Sequence, residues 1–350
     1  MNTVLVTGGA GYIGSHTIIE LINANFKVIS VDNYINSNAT TYDRIKEITG
    51  ADVPFYDTDL RDLEAARKIF QENTDIVGVI HFAALKSVPD SVDNPDFCFD
   101  NNNNSLINIA KCCVEFNVPN LIFSSSCSVY GNVNPEDLPV TEDTPLKKAE
   151  SPYGYTKQNG EVILEFMCNA YPLHAICLRY FNPVGAHISG KIGELPAKRV
   201  NNLVPVITQA AAGVIPHFTV FGDDYATRDG SCIRDYIHVS DIADAHVKAL
   251  QKKISGEYTT AYDIINLGSG DGVSVFEAIN AFEEASGVKA PHEIGSKRAG
   301  DVESIYSNPV KAEQVLGWKP KYNIHDMMAS AWKWQLRMKE LGIAKHKLED

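Results

Sequence analysis

The stretch Thr3-Val4-Leu5-Val6-Thr7-Gly8-Gly9-Ala10-Gly11-Tyr12-Ile13-Gly14 decides how the rest of the chain is read. Its first five residues are all apolar or β-branched and predict a buried strand, Thr3–Thr7. That strand runs without a break into glycines at 8, 11 and 14, and then into helical spacing over 12–24. Glycine at these places permits a tight turn, close approach of a pyrophosphate, and close packing of helix on strand. The helix N-terminus then aims free N–H groups and the positive end of its dipole at the phosphates. A glycine motif alone is weak, but here a second strand, Lys27–Val31, ends at Asp32. That carboxylate is placed to accept both ribose hydroxyls of an adenosine. A 2′-phosphate would face its charge, and residues 33–40 hold no Arg or Lys to compensate, so NAD is favoured over NADP.

Outward from this unit, apolar strands alternate with amphipathic helices. Further strands are read at Val53–Tyr56, Val77–Phe82, Leu121–Ser125 and His174–Tyr180, with helical spacing over 62–72, 97–117 and 153–170. The alternation predicts an α/β protein with a doubly wound parallel sheet of the Rossmann type, whose ligands bind at the carboxyl ends of the strands. After Asn182 the pattern breaks up, and helical spacing returns near 203–212, 240–252, 274–286 and 324–338. Residues 1–183 are therefore read as an NAD-binding domain to which the chain returns near 236–268. Residues 184–350 are read mainly as a smaller α/β C-terminal substrate domain, with the chemistry in the cleft between the two.

Composition narrows the function classes. A net charge of −13 opposes binding to nucleic acid. No apolar run approaches the roughly 18 residues of a membrane span, and the N-terminus lacks the basic and apolar regions of a secretory signal. The cysteines are odd in number, only Cys112 and Cys113 lie close together, and no C-x-x-C pair occurs. Reduced thiols and a cytoplasmic location follow. Asn38-Ala-Thr and Asn103-Asn-Ser then match the glycosylation pattern by chance. No metal is expected: His81, His238 and His246 fit no metal spacing and read as strand-end or helix-surface residues.

The candidate chemistry sits after the fifth strand, where Ser124-Ser125-Ser126 is followed by Tyr153-Gly-Tyr-Thr-Lys157. On a helix, positions four apart share a face, so Tyr153 and Lys157 project together. Free tyrosine titrates near pH 10, and an adjacent ammonium, with a positive nicotinamide ring nearby, favours the phenolate that a neutral-pH base requires. Ser126 would hydrogen-bond the same substrate oxygen and relay its proton. Spacing alone proves little, because Tyr42-Asp-Arg-Ile-Lys46 repeats it. That second pair has no serine strand end before it and reads as a solvated helix face. Cys127 reads as small core packing, or as a redox-sensitive thiol beside the serine.

Together, Thr7-Gly-x-x-Gly-x-x-Gly, Asp59-Leu60, His81-Phe-Ala-Ala84, Ser126, Tyr153-x-x-x-Lys157 and Arg179-Tyr-Phe-Asn-Pro-Val-Gly-Ala186 resemble the extended short-chain dehydrogenase/reductase family. Within it the chain is similar to the UDP-sugar 4-epimerases. This likeness runs nearly end to end, through Leu85-Lys86-Ser-Val, Asn201-Asn-Leu-Val-Pro205, Val220-Phe-Gly222, Arg234-Asp-Tyr-Ile-His-Val239 and Arg298-Ala-Gly-Asp301. The resemblance implies interconversion of UDP-glucose and UDP-galactose with NAD as cofactor. It places Tyr12 and Ile13, with Gly8, Gly11 and Gly14, at the pyrophosphate, and Asp32, Asn33, Asn36 and Ser37 around the adenosine ribose. It places Asp59 and Leu60 at the adenine, and Phe82, Ala83, Ala84, Lys86 and Asn101 along the cofactor groove. Lys157 would bind the nicotinamide ribose, with Tyr180 and Phe181 closing over the nicotinamide pocket. Asn182, Asn202, Leu203, Phe221, Arg234, Arg298 and Asp301 would hold the UDP-sugar, whose other contacts are Lys86, Ser126 and Tyr153. Arginine forks suit a diphosphate. Without the resemblance, Arg234 reads as an ion-pair partner of its neighbour Asp235, and Arg298 as a solvated loop charge.

Rival readings differ at single positions. Sugar dehydratases of this family carry Asp-Glu just after the strand-five hydroxyl, and sugar decarboxylases carry Glu there, whereas this chain has Cys127 and Ser128. Non-catalytic NAD-sensing relatives lose the Tyr or Lys that this chain keeps. A plain alcohol dehydrogenase would release NADH stoichiometrically. Four residues past Asp301, Ile305 stands where the family uses a bulky Tyr or a smaller residue that admits N-acetylated sugars, so UDP-N-acetylhexosamines stay open as substrates. Tyr306 beside it leaves the register open by one residue. The resemblance further implies a homodimer, formed through the helices near 97–117 and 153–170.

Overall fold

The computed structural model describes residues 1–195, 202–298 and 302–343. Seven parallel strands make its main sheet: β1 (Thr3–Thr7), β2 (Lys27–Asp32), β3 (Phe55–Asp57), β4 (Ile76–His81), β5 (Asn120–Ser126), β6 (His174–Tyr180) and, after an excursion of the chain, β10 (Tyr262–Leu267). Their spatial order is β10-β6-β5-β4-β1-β2-β3. The chain winds outward from β1 to β3, then crosses back to β4, so the switch point lies between β1 and β4. Loops leaving those two strands diverge and open the crevice in which such sheets take their ligands.

Two apolar layers cover this sheet. On one face lie α1 (Tyr12–Asn23), α2 (Thr40–Thr49) and α8 (Val239–Ile254), sharing a core of Val4, Val6, Ile18, Ile45, Ile242 and Leu250. On the other lie α3 (Leu63–Glu72), α5 (Pro95–Glu115) and α6 (Pro152–Ala170), around Leu5, Ile69, Leu106, Phe123 and Leu164. A short helix, α4 (Val88–Asp93), leads into α5. Strands buried on both faces explain why β1, β4 and β5 read as near-continuous apolar runs.

The remaining elements build a smaller unit. Its central strand β9 (Ile233–His238) pairs with β7 (Asn182–Val184), β11 (Gly272–Ser274) and β13 (Ser304–Ile305), while β8 (Phe218–Phe221) pairs with β12 (His292–Gly295). Three helices, α7 (Leu203–Ala211), α9 (Val275–Ser286) and α11 (Ile324–Glu340), pack a third core around Ile207, Phe282 and Met328. A short helix, α10 (Val310–Leu316), returns with buried Trp318 to the α1–α8 layer. The return of the chain to the main sheet is therefore α8 and β10, while residues 236–238 belong to β9 and the smaller sheet. No helix among the described residues is long and apolar enough to cross a membrane.

Two sequence expectations need correction. Residues 40–49 form α2, and Tyr42 is 7% exposed rather than on a solvated face. Its ring stacks on Phe55 at 4.4 Å and its hydroxyl bonds to Ser30 at 2.7 Å. Only Lys46 points outward, to Asp52 at 2.7 Å. Likewise His81 and His238 end β4 and β9 as expected but are buried there, and His246 is buried within α8 rather than on its surface. Each has an internal partner: Thr7 Oγ1 at 2.8 Å, Ser330 Oγ at 3.1 Å and the Ile242 carbonyl at 2.8 Å respectively.

Burial pushes the imidazoles of His16 and His81 down to about 3, and those of His238 and His246 to about 4. In the unfolded chain these groups take a proton near pH 6.5, but in the fold they resist it until far lower pH. Stability is thus intact above pH 6.5 and is lost progressively as pH falls below it, at ~1.4 kcal/mol per pH unit per histidine. We expect the Tm to fall steeply between pH 6.5 and 4.5, and His246→Leu to make that slope shallower by one histidine's share. An unchanged slope in that variant would rule out this origin.

Candidate active site

Gly8 turns the chain out of β1 with φ +68°, and a side chain there would meet the Ala83 backbone nitrogen at 2.8 Å. A side chain at Gly14 would run into the Gly8 carbonyl. Gly11 differs: a Cβ there would find only the Gly8 carbonyl, at 3.1 Å, and otherwise open space. The first turn of α1 carries neither a capping side chain nor a carboxylate. Its positive end and a bare backbone thus face the crevice, a cradle that a dinucleotide diphosphate fits and that any Cβ at position 11 would intrude upon.

The adenosine end of the groove is equally built. Asp32, at the end of β2, accepts from Ala10 N–H at 3.0 Å, from Tyr34 N–H at 3.0 Å and from the Ser37 hydroxyl at 2.7 Å. Burial pushes its carboxyl upward while these donors pull it down. Asn33 hydrogen-bonds Asp59, whose carboxylate is gripped by Arg61 at 2.6 Å and held below its usual range. Leu60 is buried, with its carbonyl accepting from Asn108 at 3.0 Å. Asn36 sits in the same turn as Ser37. Farther along, Phe82 and Ala84 are half-buried, and Ala83 N–H donates to Thr7 Oγ1 at 3.2 Å. Lys86 lies 5.8 Å from the Tyr12 ring and reaches Glu194 at 2.5 Å, while the Tyr12 hydroxyl donates to the Gly185 carbonyl at 2.6 Å.

The three serines that end β5 are each committed to a different partner. The Ser124 carbonyl accepts from Lys157 Nζ at 2.6 Å, and the Ser124 hydroxyl bonds to that of Tyr180. Ser125 donates to Glu161 at 2.5 Å. Ser126 accepts from Ser128 N–H at 3.2 Å and hydrogen-bonds the Tyr153 phenol. Tyr153 opens α6, whose N-cap Ser151 accepts from Gly154 N–H at 3.1 Å, with Pro152 preset for the first turn. Behind it, Asn102 ties three elements together. Its amide donates to Thr156 Oγ1 at 3.0 Å and to the Leu85 carbonyl at 3.0 Å, and its oxygen accepts from Leu85 N–H at 2.8 Å and Asn101 at 3.0 Å. Thr156 in turn donates to the Tyr153 carbonyl at 2.7 Å. Sequence reasoning singled out Asn101 and missed Asn102, whose only signal was a run of asparagines at 101–104.

Burial governs the electrostatics here. It pushes the Tyr153 phenol up to about 12, against the pull of the Ser126 hydroxyl, and pushes Lys157 down to about 8. Lys157 alone, without the nicotinamide ring that the expectation joined to it, does not draw the phenol down. The ammonium is spent on the Ser124 carbonyl and lies 5.8 Å from the Tyr153 ring centre, so desolvation outweighs it. The Cys127 thiol is likewise pushed up to about 12 by burial, with Arg234 pulling it down. It is a packed thiol and not a reactive thiolate.

Facing this wall, β9 lines up the other candidates. Arg234 is in register with Ile305 on β13, and Asn182 on β7 with Tyr236. Ile305 packs with Phe181, Val129 and Tyr130, whereas the Tyr306 ring lies beside Gly272, so Ile305 is the residue on the Phe181 side. Asp235 bonds the Ser269 and Ser307 hydroxyls at 2.6 and 2.7 Å and fastens their loops to β9. The Arg298 guanidinium lies 5.2 Å over the ring of exposed Phe221, and Asn202 and Leu203 begin α7. Asp301 lies outside the described residues. Among the described residues no group of three or more His, Cys, Asp or Glu could hold a metal ion.

Known proteins are similar to this chain along nearly all of its length. The NAD dependent epimerase/dehydratase family matches residues 4–268. The UDP-glucose 4-epimerase of Bacillus subtilis (strain 168) is 46% identical over 333 residues, 95% of this chain and 96% of that one. A crystal structure of UDP-glucose 4-epimerase from Stenotrophomonas maltophila, with bound NAD and formylated UDP-arabinopyranose, is similar with a TM-score of 0.93 and 44% identity, covering 97% of this chain and 100% of that chain. Another, from Bifidobacterium longum in complex with NAD+ and UDP, gives 0.89 and 45%, covering 96% and 98%.

Proposed function

The chain belongs to the NAD dependent epimerase/dehydratase family, and on that premise we propose that it is an NAD-dependent UDP-glucose 4-epimerase, interconverting UDP-glucose and UDP-galactose. The observation that carries this reading is the convergence of Ser126, Tyr153 and Lys157 beside a bare glycine cradle, with no carboxylate following Ser126 to drive elimination of water.

Gly8, Gly11, Gly14 and the start of α1 receive the diphosphate of NAD, and Asp32 receives its adenosine ribose. When bound, the oxidised dinucleotide supplies a hydride acceptor for the sugar carbon and a positive charge beside the phenol. That charge meets a need visible in the site, since burial alone leaves Tyr153 protonated at neutral pH. Tyr153 takes the proton of the sugar 4-hydroxyl as C4 is oxidised, and Ser126 shares that proton. Lys157 holds the end of β5 in place and contributes its ammonium. The 4-keto sugar turns about its bond to the diphosphate, and Tyr153 returns the proton when C4 is reduced on its other face. Arg234 and Arg298 hold the diphosphate and Phe221 the nucleoside end, leaving the hexose against apolar walls with few directional contacts. We assign the dinucleotide to residues 1–183 with α8 and β10, and the UDP-sugar mainly to the rest of 184–350.

The outer face of α6 bears Tyr155, Val162 and Phe166, the last 69% exposed, at positions i, i+7 and i+11, with Phe99 of α5 edge-on to Tyr155 at 6.0 Å. We assign this stripe to a second copy of the chain, packed as a four-helix bundle. Sedimentation equilibrium is expected to give a dimer, and Phe166→Glu a monomer; a monomeric wild-type protein would refute the assignment.

Purified protein given UDP-galactose and no added NAD is expected to form UDP-glucose, followed by chromatography, with no net NADH. Tyr153→Phe is expected to lower kcat by ~10²–10⁴-fold, as loss of a general acid–base does. No conversion even with NAD supplied would defeat the substrate assignment. Because Ile305 is smaller than an aromatic side chain and packs against Phe181, conversion of UDP-N-acetylglucosamine is a second reading. Ile305→Tyr is expected to depress that activity at least tenfold relative to UDP-galactose conversion. An unchanged ratio would remove Ile305 from the sugar wall.

A further inference from the structure

One turn beyond Lys157, on the same face of α6, lies a carboxylate that the reaction as derived above does not use. Glu161 is 3% exposed and Arg179 of β6 is 2% exposed. They meet side by side, with Arg179 Nε donating to one carboxylate oxygen at 2.8 Å and Nη2 to the other at 2.6 Å. Such a pair is weak evidence for stability, because taking both ions out of water offsets most of their attraction. Its placement suggests a different role.

The third donor to Glu161 is the Ser125 hydroxyl at 2.5 Å. Ser125 stands between Ser124, whose carbonyl holds Lys157 at 2.6 Å, and Ser126, whose hydroxyl bonds Tyr153. That carbonyl belongs to the peptide joining Ser124 to Ser125, so fixing the Ser125 side chain fixes the orientation of the acceptor for Lys157. Arg179 precedes Tyr180, whose hydroxyl bonds Ser124, and its remaining nitrogen donates to Tyr130 at 3.1 Å. Tyr130 donates to Asn266 of β10 at 2.7 Å. The carboxylate therefore anchors the ends of both strands that carry the reacting and cofactor-facing side chains.

Charge points the same way. Facing Lys157 are Cys98 from α5, Cys177 from β6, Glu161 from α6 and His81 from β4. Burial keeps both thiols protonated and the imidazole neutral, and Arg179 is neutralised by its pairing. Of the groups that favour the charged form of Lys157, Glu161 follows Cys98, and it does so from within its pair with Arg179.

We propose that Glu161 is a positioning residue for the proton transfer, holding Ser125 so that Lys157 and Ser126 keep their places, and keeping Lys157 charged. This rests on the epimerase reading of the site. Two variants test it in the purified full chain supplied with NAD. Glu161→Gln keeps the volume and an acceptor for Ser125 but removes the charge. The double variant Glu161→Met with Arg179→Met removes both charges, leaves neither ion buried alone, and is expected to fold even where the single variant does not.

In Glu161→Gln, which leaves the Arg179 charge unpaired, the alkaline limb of the kcat–pH profile is expected to move down by about one pH unit, as Lys157 loses its proton more easily. The double variant removes no net charge, so its smaller downward shift comes from the lost hold on Ser125. The phenol of Tyr153, titrated by ultraviolet difference absorbance against Tyr153→Phe, is expected to ionise at higher pH. A core role alone would lower the Tm and the folded fraction but leave both titrations in place, and that result overturns the proposal. Failure of the wild-type enzyme to convert any UDP-sugar would count against the functional reading instead, and the phenol titration would then decide this inference by itself.

Discussion

Where β1 gives way to α1, the Gly8 backbone approaches the Ala83 peptide so closely that even a methyl group would lie 2.8 Å from its nitrogen. This contact brings the ends of β1 and β4 together at the switch point of the sheet, and Thr7 reinforces it through His81 at 2.8 Å and Ala83 at 3.2 Å. Everything that the crevice holds is referenced to it. Ala10 in the same turn reaches Asp32 on one side, and on the other the chain after β4 runs through Leu85 to Asn102 and so to α6. The dinucleotide cradle and the phenol are thus connected by short polar links rather than merely carried by the same sheet.

Those links run through an interior that penalises charge. Tyr153 and Lys157 are both shifted against ionisation by burial, which in isolation would leave a protonated phenol beside a weakened ammonium. A site of this kind gains from holding its dipoles in place before the reaction begins, since the same low polarity that disfavours an unpaired charge strengthens each fixed hydrogen bond. The density of side chain-to-backbone bonds around Ser124, Ser126, Asn102 and Thr156 is the structural form of that economy. On the proposed reading, the positive ring of the oxidised cofactor would favour the phenolate that burial disfavours.

Much of this was legible in the sequence because it rests on periodicity and on glycine. β1 and β6 begin and end where their apolar runs do, and α1, α3 and α6 lie within a residue or two of their expected spans. What failed to show were contacts between distant segments. Tyr42 looked like part of a solvated face because its partners, Ser30 and Phe55, lie on other strands. His81, His238 and His246 carry no local mark of burial. The choice between Ile305 and Tyr306 depended on pairing with β9, which no local pattern encodes. Asn102 was hidden among identical neighbours, and the roles of Arg234 and Arg298 could be named only through a resemblance. The weight of Lys157 at Tyr153 was hidden for a related reason. Spacing shows that a lysine shares a helix face, but not that a carbonyl from another element has already claimed it.

β10 completes the main sheet along the open side of β6, yet roughly eighty residues separate the two in the chain. At the ~5–20 residues per second of a ribosome, the outer edge of β6 stays bare for roughly 4–16 seconds after its own synthesis. A row of unpaired backbone groups on an apolar strand is a template for any other extended segment nearby. The nascent chain therefore passes through an interval in which this edge, and the face that α8 will cover, stand open to mispairing. A fragment stopped at residue 183 would never leave that state.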